Sequence, residues 1–320
     1  MAQQNWATAA DGGRLGTTHL TKRLRHAAQP LMYFRQLTEK FEDGLGRGRG
    51  DTLLFNKIGN VATAGGSISE TATIPATKAA VLQGSVVMTE FANSVTFTGK
   101  LKTLSEYDVE QMVVTVLSND MAKTLDSAAG AQYTSGKIKA VCTTTTSTVF
   151  TSDGTFTATA SANMGKANVQ DIIDDMRRRN TPAYDSKGHY LCVATVNALR
   201  GLRSDLEGIM AYTESGVDGM KGVGIYPYQG EQGRYYDTRF VVENRFLSNT
   251  RGSGSNKGEA VFIGGDAVRE YMAVPEEIRV KIPTDFGRDE GIAWYYLGNF
   301  VRVWDQTTDS EDHLVHLGSA

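Results

Sequence analysis

The sequence predicts an α+β fold on three observations: a long helical run, a long β excursion before it, and an alternation of helix and strand patterns after it. The helical run is Thr103–Tyr133. Thr103 and Glu106 have capping-box spacing, and Glu106, Asp108 and Glu110 put negative charge where a helix dipole favours it. Val109, Val113, Leu117, Met121, Leu125 and Ala129 form an i+4 row, with Met112 and Val116 beside it. At 1.5 Å per residue the run would be about 45 Å long, far beyond the mean helix of about 11–12 residues.

The elements follow in order. Residues 1–50 carry eight Lys/Arg against four Asp/Glu, a balance of +4. Pro30 would break or begin a helix, and Leu31, Phe34 and Leu37 then follow helical spacing, extended by Phe41. The stretch reads either as a frayed terminus or as an extended arm that docks its aromatic stripe on a neighbouring chain. Alternating glycines at 44, 46, 48 and 50 read as a flexible join. Thr52–Ile58 is a strand, and Ser85–Thr98 is a returning strand with Val87, Phe91, Val95 and Phe97 on one parity. Between them the polar, Gly-rich segment cannot bury enough surface to be compact alone, so it needs a partner.

Lys137–Ala162 is a Thr-rich hairpin turning at Asp153-Gly154. Asn168 caps a helix over Val169–Arg179 with a core face of Val169, Ile172, Ile173 and Met176. His189–Thr195 is a buried strand, Val196–Leu206 a helix, and Gly208–Arg234 a loop region rich in glycines and aromatics. Arg239–Glu243 and Glu259–Ile263 are strands, Gly252–Gly258 a loop tip, and Asp266–Tyr271 a short helix. Ile278–Ile282 and Gly291–Trp304 are strands, and the acidic tail Asp305–Ala320 is expected to pack loosely.

Composition and motifs argue against catalysis. The net charge of -3 predicts no strong nucleic-acid affinity for the surface as a whole. No run nears the roughly 18 apolar residues of a membrane span, and the first residues lack the pattern of a signal peptide. Cys142 and Cys192 lie in strand-like runs and predict free thiols in a reducing compartment. Neither the phosphate-loop pattern nor a nucleophile elbow occurs. Asp285-Phe286-Gly287 lacks the other kinase motifs and reads as a turn between late strands. His313 and His316 lack a third ligand nearby and read as two exposed histidines rather than a metal site. Asp171, Asp174 and Asp175 read as a solvated face, and Gly222-x-Gly224 fails as a dinucleotide fingerprint. No enzyme activity, cofactor or metal is expected.

Several stretches carry a family resemblance: Gly50-Asp51-Thr52; Val87–Thr98; the helix end near Leu125-Asp126; His189–Arg203; Gly230-Glu231-Gln232-Gly233 leading to Thr238–Phe246; and Phe286-Gly287-Arg288-Asp289 followed by Trp294-Tyr295-Tyr296-Leu297-Gly298. In this order they cover most of residues 45–300, and the chain resembles the Hong Kong 97-type major capsid proteins of tailed bacteriophages, most closely the N4-like coat-protein branch. The resemblance implies an N-arm (1–50), an E-loop (51–100) lying over a neighbour, a peripheral domain with a spine helix (101–164), an axial domain (165–270), and peripheral return strands with a tail (271–320). It implies hexamers and pentamers of this chain closing into an icosahedral head in the host cytoplasm. The shell would enclose double-stranded DNA, with scaffolding, portal and decoration proteins as further partners and no membrane.

Candidate subunit-contact residues are Leu31, Phe34, Leu37 and Phe41, the basic Arg47 and Arg49, Ile68 and Ile74 of the excursion, and Arg177, Arg178 and Arg179. Arg14, Lys22, Arg23 and Arg25 would face either DNA or an acidic subunit surface. No matched Lys–Asn–Glu set for covalent crosslinking is present. Two other readings stand beside this one: an encapsulin-like compartment shell with a protein cargo, and a soluble hydrolase or ligand-binding protein with a site among Tyr212–Tyr236.

Overall fold

Seven strands form the larger sheet, in the spatial order β6 (Ser147–Thr151), β5 (Ile138–Thr144), β13 (Leu314–Ser319), β10 (Gly258–Ile263), β7 (Tyr190–Ala194), β9 (Thr238–Val242) and β8 (Glu231–Tyr235). The pairs β5/β13 and β7/β9 are parallel, and the rest are antiparallel. A second sheet orders β1 (Glu39–Phe41), β11 (Val268–Val280), β12 (Asp289–Arg302) and β4 (Thr89–Thr98). A separate ribbon pairs β2 (Thr52–Ile58) with β3 (Val81–Val87). The helices are α1 (Phe34–Leu37), α2 (Gly99–Leu104), α3 (Val109–Thr134), α4 (Lys166–Arg178) and α5 (Val196–Thr213). This computed structural model describes residues 29, 32–41, 50–58, 65–74, 76–79, 81–213, 231–247, 258–284, 286, 288–304 and 312–320, without the side chains of 207–213 and 231–233.

The seven-stranded sheet is apolar on both faces, as a sheet covered on both sides must be. On one face Val169, Ile172, Ile173 and Met176 of α4 and Ala198, Leu199 and Leu202 of α5 meet Ala140, Cys142, Cys192, Ala194, Phe262 and Leu317. On the other, Leu191, Val193, Val261, Ile263 and Leu314 join a core with α3 and the four-stranded sheet. The long helix buries Val109, Val113, Leu117, Leu125 and Ala129, each of the larger aliphatics stabilising by about 1.5–3 kcal/mol on full burial. Asp120 ties its outer side to the four-stranded sheet by accepting from Trp294 Nε1 at 3.0 Å and Asn93 Nδ2 at 2.8 Å.

The structure departs from the sequence expectations where tertiary partners decide. The run 103–133 is two helices, because Asp108 accepts the amides of Glu110 (3.0 Å) and Gln111 (3.2 Å) and caps α3. Thr103 instead lies in α2 and bonds back to Gly99 O, so no capping box forms with Glu106. Val116 is exposed and Met121 half-buried. Ser85–Thr98 breaks at Met88, whose amide bonds Asp51 O, and the inward parity flips there: Val86 is buried and Val87 exposed, whereas Phe97 is buried. The Thr-rich hairpin turns at Thr145-Thr146 rather than at Asp153-Gly154. Asp153 makes its own side-chain turn, accepting from Thr155 N at 2.9 Å.

Three further corrections concern α4, β11 and the tail. Gly165 precedes α4, and Asn168 sits one turn inside, accepting from Gly165 N and donating to Thr144 O and Ser147 O. Residues 266–271 are no helix: Val268 begins β11, and pairing with β1 and β12 overrides the local pattern. The described part of the tail, residues 312–320, is not loose, since β13 occupies an interior position of the seven-stranded sheet with all six residues buried. His316 is therefore buried and His313 partly so, contrary to the expected exposure. Residues 271–320 supply strands to both sheets, most of β11 and all of β12 to the smaller and β13 to the larger, whereas the strands of residues 101–164, β5 and β6, belong to the larger sheet. The loop expected over Gly208–Arg234 is shorter at both ends, because α5 continues to Thr213 and β8 begins at Glu231, and Gly258 of the expected tip Gly252–Gly258 begins β10; residues 214–230 and 251–257 lie outside the described residues.

Candidate assembly surfaces

The β2–β3 ribbon pairs seven residues from Thr52↔Val87 to Ile58↔Val81. Its inner face is held by Phe55, whose ring lies over Gly84 opposite. A Cβ at Gly84 would come within 2.4 Å of that ring. Phe55 also stacks on Tyr271 of β11, with centroids 5.9 Å apart and planes at 20°. Buried Lys57 lays its ammonium 5.6 Å from the Phe55 centroid. The outer face presents Leu54, Ile58, Val81 and Val87 to solvent, and beyond the ribbon Ile68 and Ile74 are exposed, Ile74 at 76%. A two-stranded ribbon is marginal alone in water, and one that shows aliphatics outward is built to be covered.

A second apolar edge went unnoticed in the sequence. Ile278, Val280 and Ile282 alternate along β11 and its continuation, and all are exposed, with Phe286 at the hairpin tip. The signal was present as I-x-V-x-I with Arg279 and Lys281 on the opposite parity, but an alternating strand ordinarily buries its apolar side. Ile278 leans toward α3. With Val114, Leu117, Met121, Ile292 and Trp294 it lines a cavity of about 50 Å3.

The N-terminal stripe is used differently from the expectation. Phe34 is 0% exposed and packs against Tyr133 and Phe246, with centroids at 5.5 and 5.6 Å; Leu37 is buried beside it. Both sit in this chain's own core and have no surface to offer a neighbour, a correction whose cause is the space between α3 and residues 245–247. Arg35 locks the segment. Its amide donates to buried Asp126 at 3.1 Å, and its guanidinium donates to buried Glu270 at 3.1 and 2.7 Å and pairs with Glu276. Tyr296 also donates to Glu270, at 2.9 Å, and burial together with that carboxylate raises its phenol well above the usual range. Burial likewise raises the Asp126 carboxyl, although Arg35 N–H and Arg245 oppose the shift. Phe41 is exposed, with Tyr271 at 5.9 Å and the Arg269 guanidinium over its ring. Leu31, Arg47 and Arg49, and the basic Arg14, Lys22, Arg23 and Arg25, lie outside the described residues.

Of the arginines after α4, Arg177 pairs with Asp237 and lies over the Tyr236 ring, and Arg179 bonds Asp175 Oδ2 at 3.0 Å and the carbonyl of Asp312 at 2.6 Å. These two serve the fold of their own chain, whereas Arg178 is exposed. Among the described residues no three His, Cys, Asp or Glu side chains converge on a metal position, and no helix is long and apolar enough to cross a membrane.

Solved structures superpose over nearly the whole chain. The capsid of Ralstonia phage GP4 matches with a TM-score of 0.65 at 14% identity, covering 95% of each chain. The cyanophage Pam1 capsid matches with a TM-score of 0.65 at 15% identity over 100% of each. This is the Hong Kong 97-type capsid fold. The head structure of Helicobacter pylori bacteriophage KHP40 agrees, with a TM-score of 0.61 at 14% identity over 98% of this chain and 97% of that one. No family model and no curated protein matches the sequence. Within this fold, α3 is the longest helix among the described residues and β2–β3 a ribbon apart from the two sheets. The segments that match include residues outside both sheets, so the likeness extends beyond a shared core.

Proposed function

We propose that this chain is a major capsid protein, a structural subunit whose copies form hexamers and pentamers and close into the icosahedral head enclosing double-stranded DNA. The observation that carries the reading is the end-to-end match to phage capsid chains, since a shared core alone would leave the ribbon and tail unmatched. The ribbon supplies the physical reason. Its outer aliphatics and Ile68 and Ile74 gain a cover only from another chain, and many modest heterologous contacts close into rings and shells. In this reading the ribbon is the E-loop laid over a neighbour. Residues before Met32 form the N-arm, and α3 with the four-stranded sheet forms the peripheral domain. The seven-stranded sheet with α4 and α5 forms the axial domain, with β5, β6 and β13 joining it. The N4-like branch is supported by the order and spacing of the sequence stretches alone.

The chain would then act without catalysis, in the virion, after assembly in the host cytoplasm. Scaffolding, portal and decoration proteins would be its other partners. The compartment-shell and hydrolase readings draw no support from the structural neighbours. Negative-stain microscopy across a gel-filtration profile tests the proposal. Closed shells, or rings of five and six, are expected. A species that stays small under crowding, with the 51–100 segment strongly protected from hydrogen exchange, would overturn it.

A further inference from the structure

Three neighbouring strands place three ionisable side chains in one buried row. Lys139 of β5 stands opposite His316 of β13, and Glu259 comes from β10 on the other side. All three are at most 5% exposed. Lys139 Nζ lies 3.2 Å from His316 Nδ1, and His316 Nε2 lies 3.6 Å from Glu259 Oε2. Lys139 Nζ also donates to the carbonyl of Thr134 at 2.7 Å. Thr134 is the last residue of the 26-residue spine helix, so the ammonium neutralises its negative dipole end. Phe156 covers the row, edge-on to His316 at 4.9 Å and 5.4 Å from the Lys139 ammonium.

The chemistry sets the proton positions. A lysine ammonium has donors and no acceptor, so Nδ1 of His316 must be the acceptor and the proton must sit on Nε2, facing the Glu259 carboxylate. Charges near this helix end include Arg302, which donates to Ser135 O, Asp312, 3.7 Å from Arg302, Lys137, whose amide donates to Asp312, and Arg179, which donates to the Asp312 carbonyl. One added proton turns Nδ1 into a donor aimed at a donor and sets two cations 3.2 Å apart in a buried site. We propose that Lys139, His316 and Glu259 form a pH-sensitive clasp between the C-terminal end of the spine helix and the tail strand, closed with a neutral imidazole and released by its protonation. Release frees the Thr134 carbonyl and the Phe156 cover together, loosening α3 from β13. The clasp is a property of the folded subunit and stands whether or not the chain builds shells.

The direction follows from linkage. A histidine held neutral in the folded state binds its proton more readily once the clasp opens. The closed state is thus favoured above the ordinary histidine pKa near 6.5 and loses ground by about tenfold per pH unit below it. The test uses the full chain. Hydrogen exchange, corrected for intrinsic rates, should show residues 314–319 and 131–134 losing about fivefold protection between pH 6.5 and 5.5. His316→Gln, which can accept from Lys139 and donate to Glu259 but cannot ionise, should flatten that dependence. An unchanged slope in His316→Gln overturns the proposal. His313→Gln is the control for the other partly buried histidine and should leave the His316-dependent change in place. Long-range nitrogen–proton correlation spectra of the unmodified protein give a second readout that needs no variant. They should show His316 as the Nε2–H tautomer at pH 7.5, and an Nδ1–H tautomer or an imidazolium at that pH would equally overturn it.

Discussion

At the residue scale, the deepest single commitment is Phe34, which fills the space between Tyr133 and Phe246 while Arg35 joins α3 to β11 beside it. Phe34→Ala should cost about 3–5 kcal/mol, because a ring-sized void opens among side chains fixed on three elements. Urea unfolding checks this, and a loss below about 1 kcal/mol would mean that the segment detaches without consequence. The cysteines make a second residue-scale case. Burial, with the Asp171 charge, pushes the Cys142 thiol up to about 12, and burial alone raises Cys192 well above its ordinary value. A thiolate is the reactive form, so both should resist alkylation at pH 8 in the folded chain and react together on unfolding. Reaction of either under native conditions would contradict the buried placement.

At the scale of elements, α3 shows how a local signal is read correctly and placed slightly wrong. The apolar row over 109–129 was legible because its period is helical, and most of it is buried. The start was not, since 103–108 offers two chemically sound caps. The choice fell to Asp108, whose carboxylate takes two amides while Thr98 caps the separate helix α2. Asp108→Ala should therefore lower stability by about 1 kcal/mol with the fold intact, whereas Thr103→Ala should change it by less than about 0.5 kcal/mol. Thermal unfolding of the two variants separates them, and equal losses would restore a single continuous helix. The strand at 268–280 was hidden for the opposite reason. Its first residues have no strong period of their own and take their conformation from β1 and β12.

For the whole molecule, most of the exposed large apolar side chains among the described residues lie in two places: the ribbon with Ile68 and Ile74, and the β11 edge from Ile278 to Phe286. Neither contributes a large share of the subunit's own core. Ile74→Asp and Ile282→Asp should each leave subunit stability within about 0.5 kcal/mol of the unchanged chain and yet abolish or cripple shell formation. Gel filtration with electron microscopy reads the assembly, and normal shells from both variants would remove these surfaces from it.

By itself the sequence determined the long apolar helix, the strand pair before it and the alternation of helix and strand after it. Those conclusions hold because periodicity and turn chemistry are local, and each is written in a few adjacent residues. It also placed Ile68 and Ile74 outside, since small polar neighbours cannot bury them. Only the tertiary structure decided that Phe34 and Leu37 turn inward, that Asp305–Ala320 ends in an interior strand, and that Lys139, His316 and Glu259 share one buried row. Those three residues are up to 177 positions apart, and a strand with one histidine in an acidic tail looks solvated until partners on both sides remove the water. Burial and pairing are properties of what lies across the sheet, and sequence distance carries no record of that neighbour.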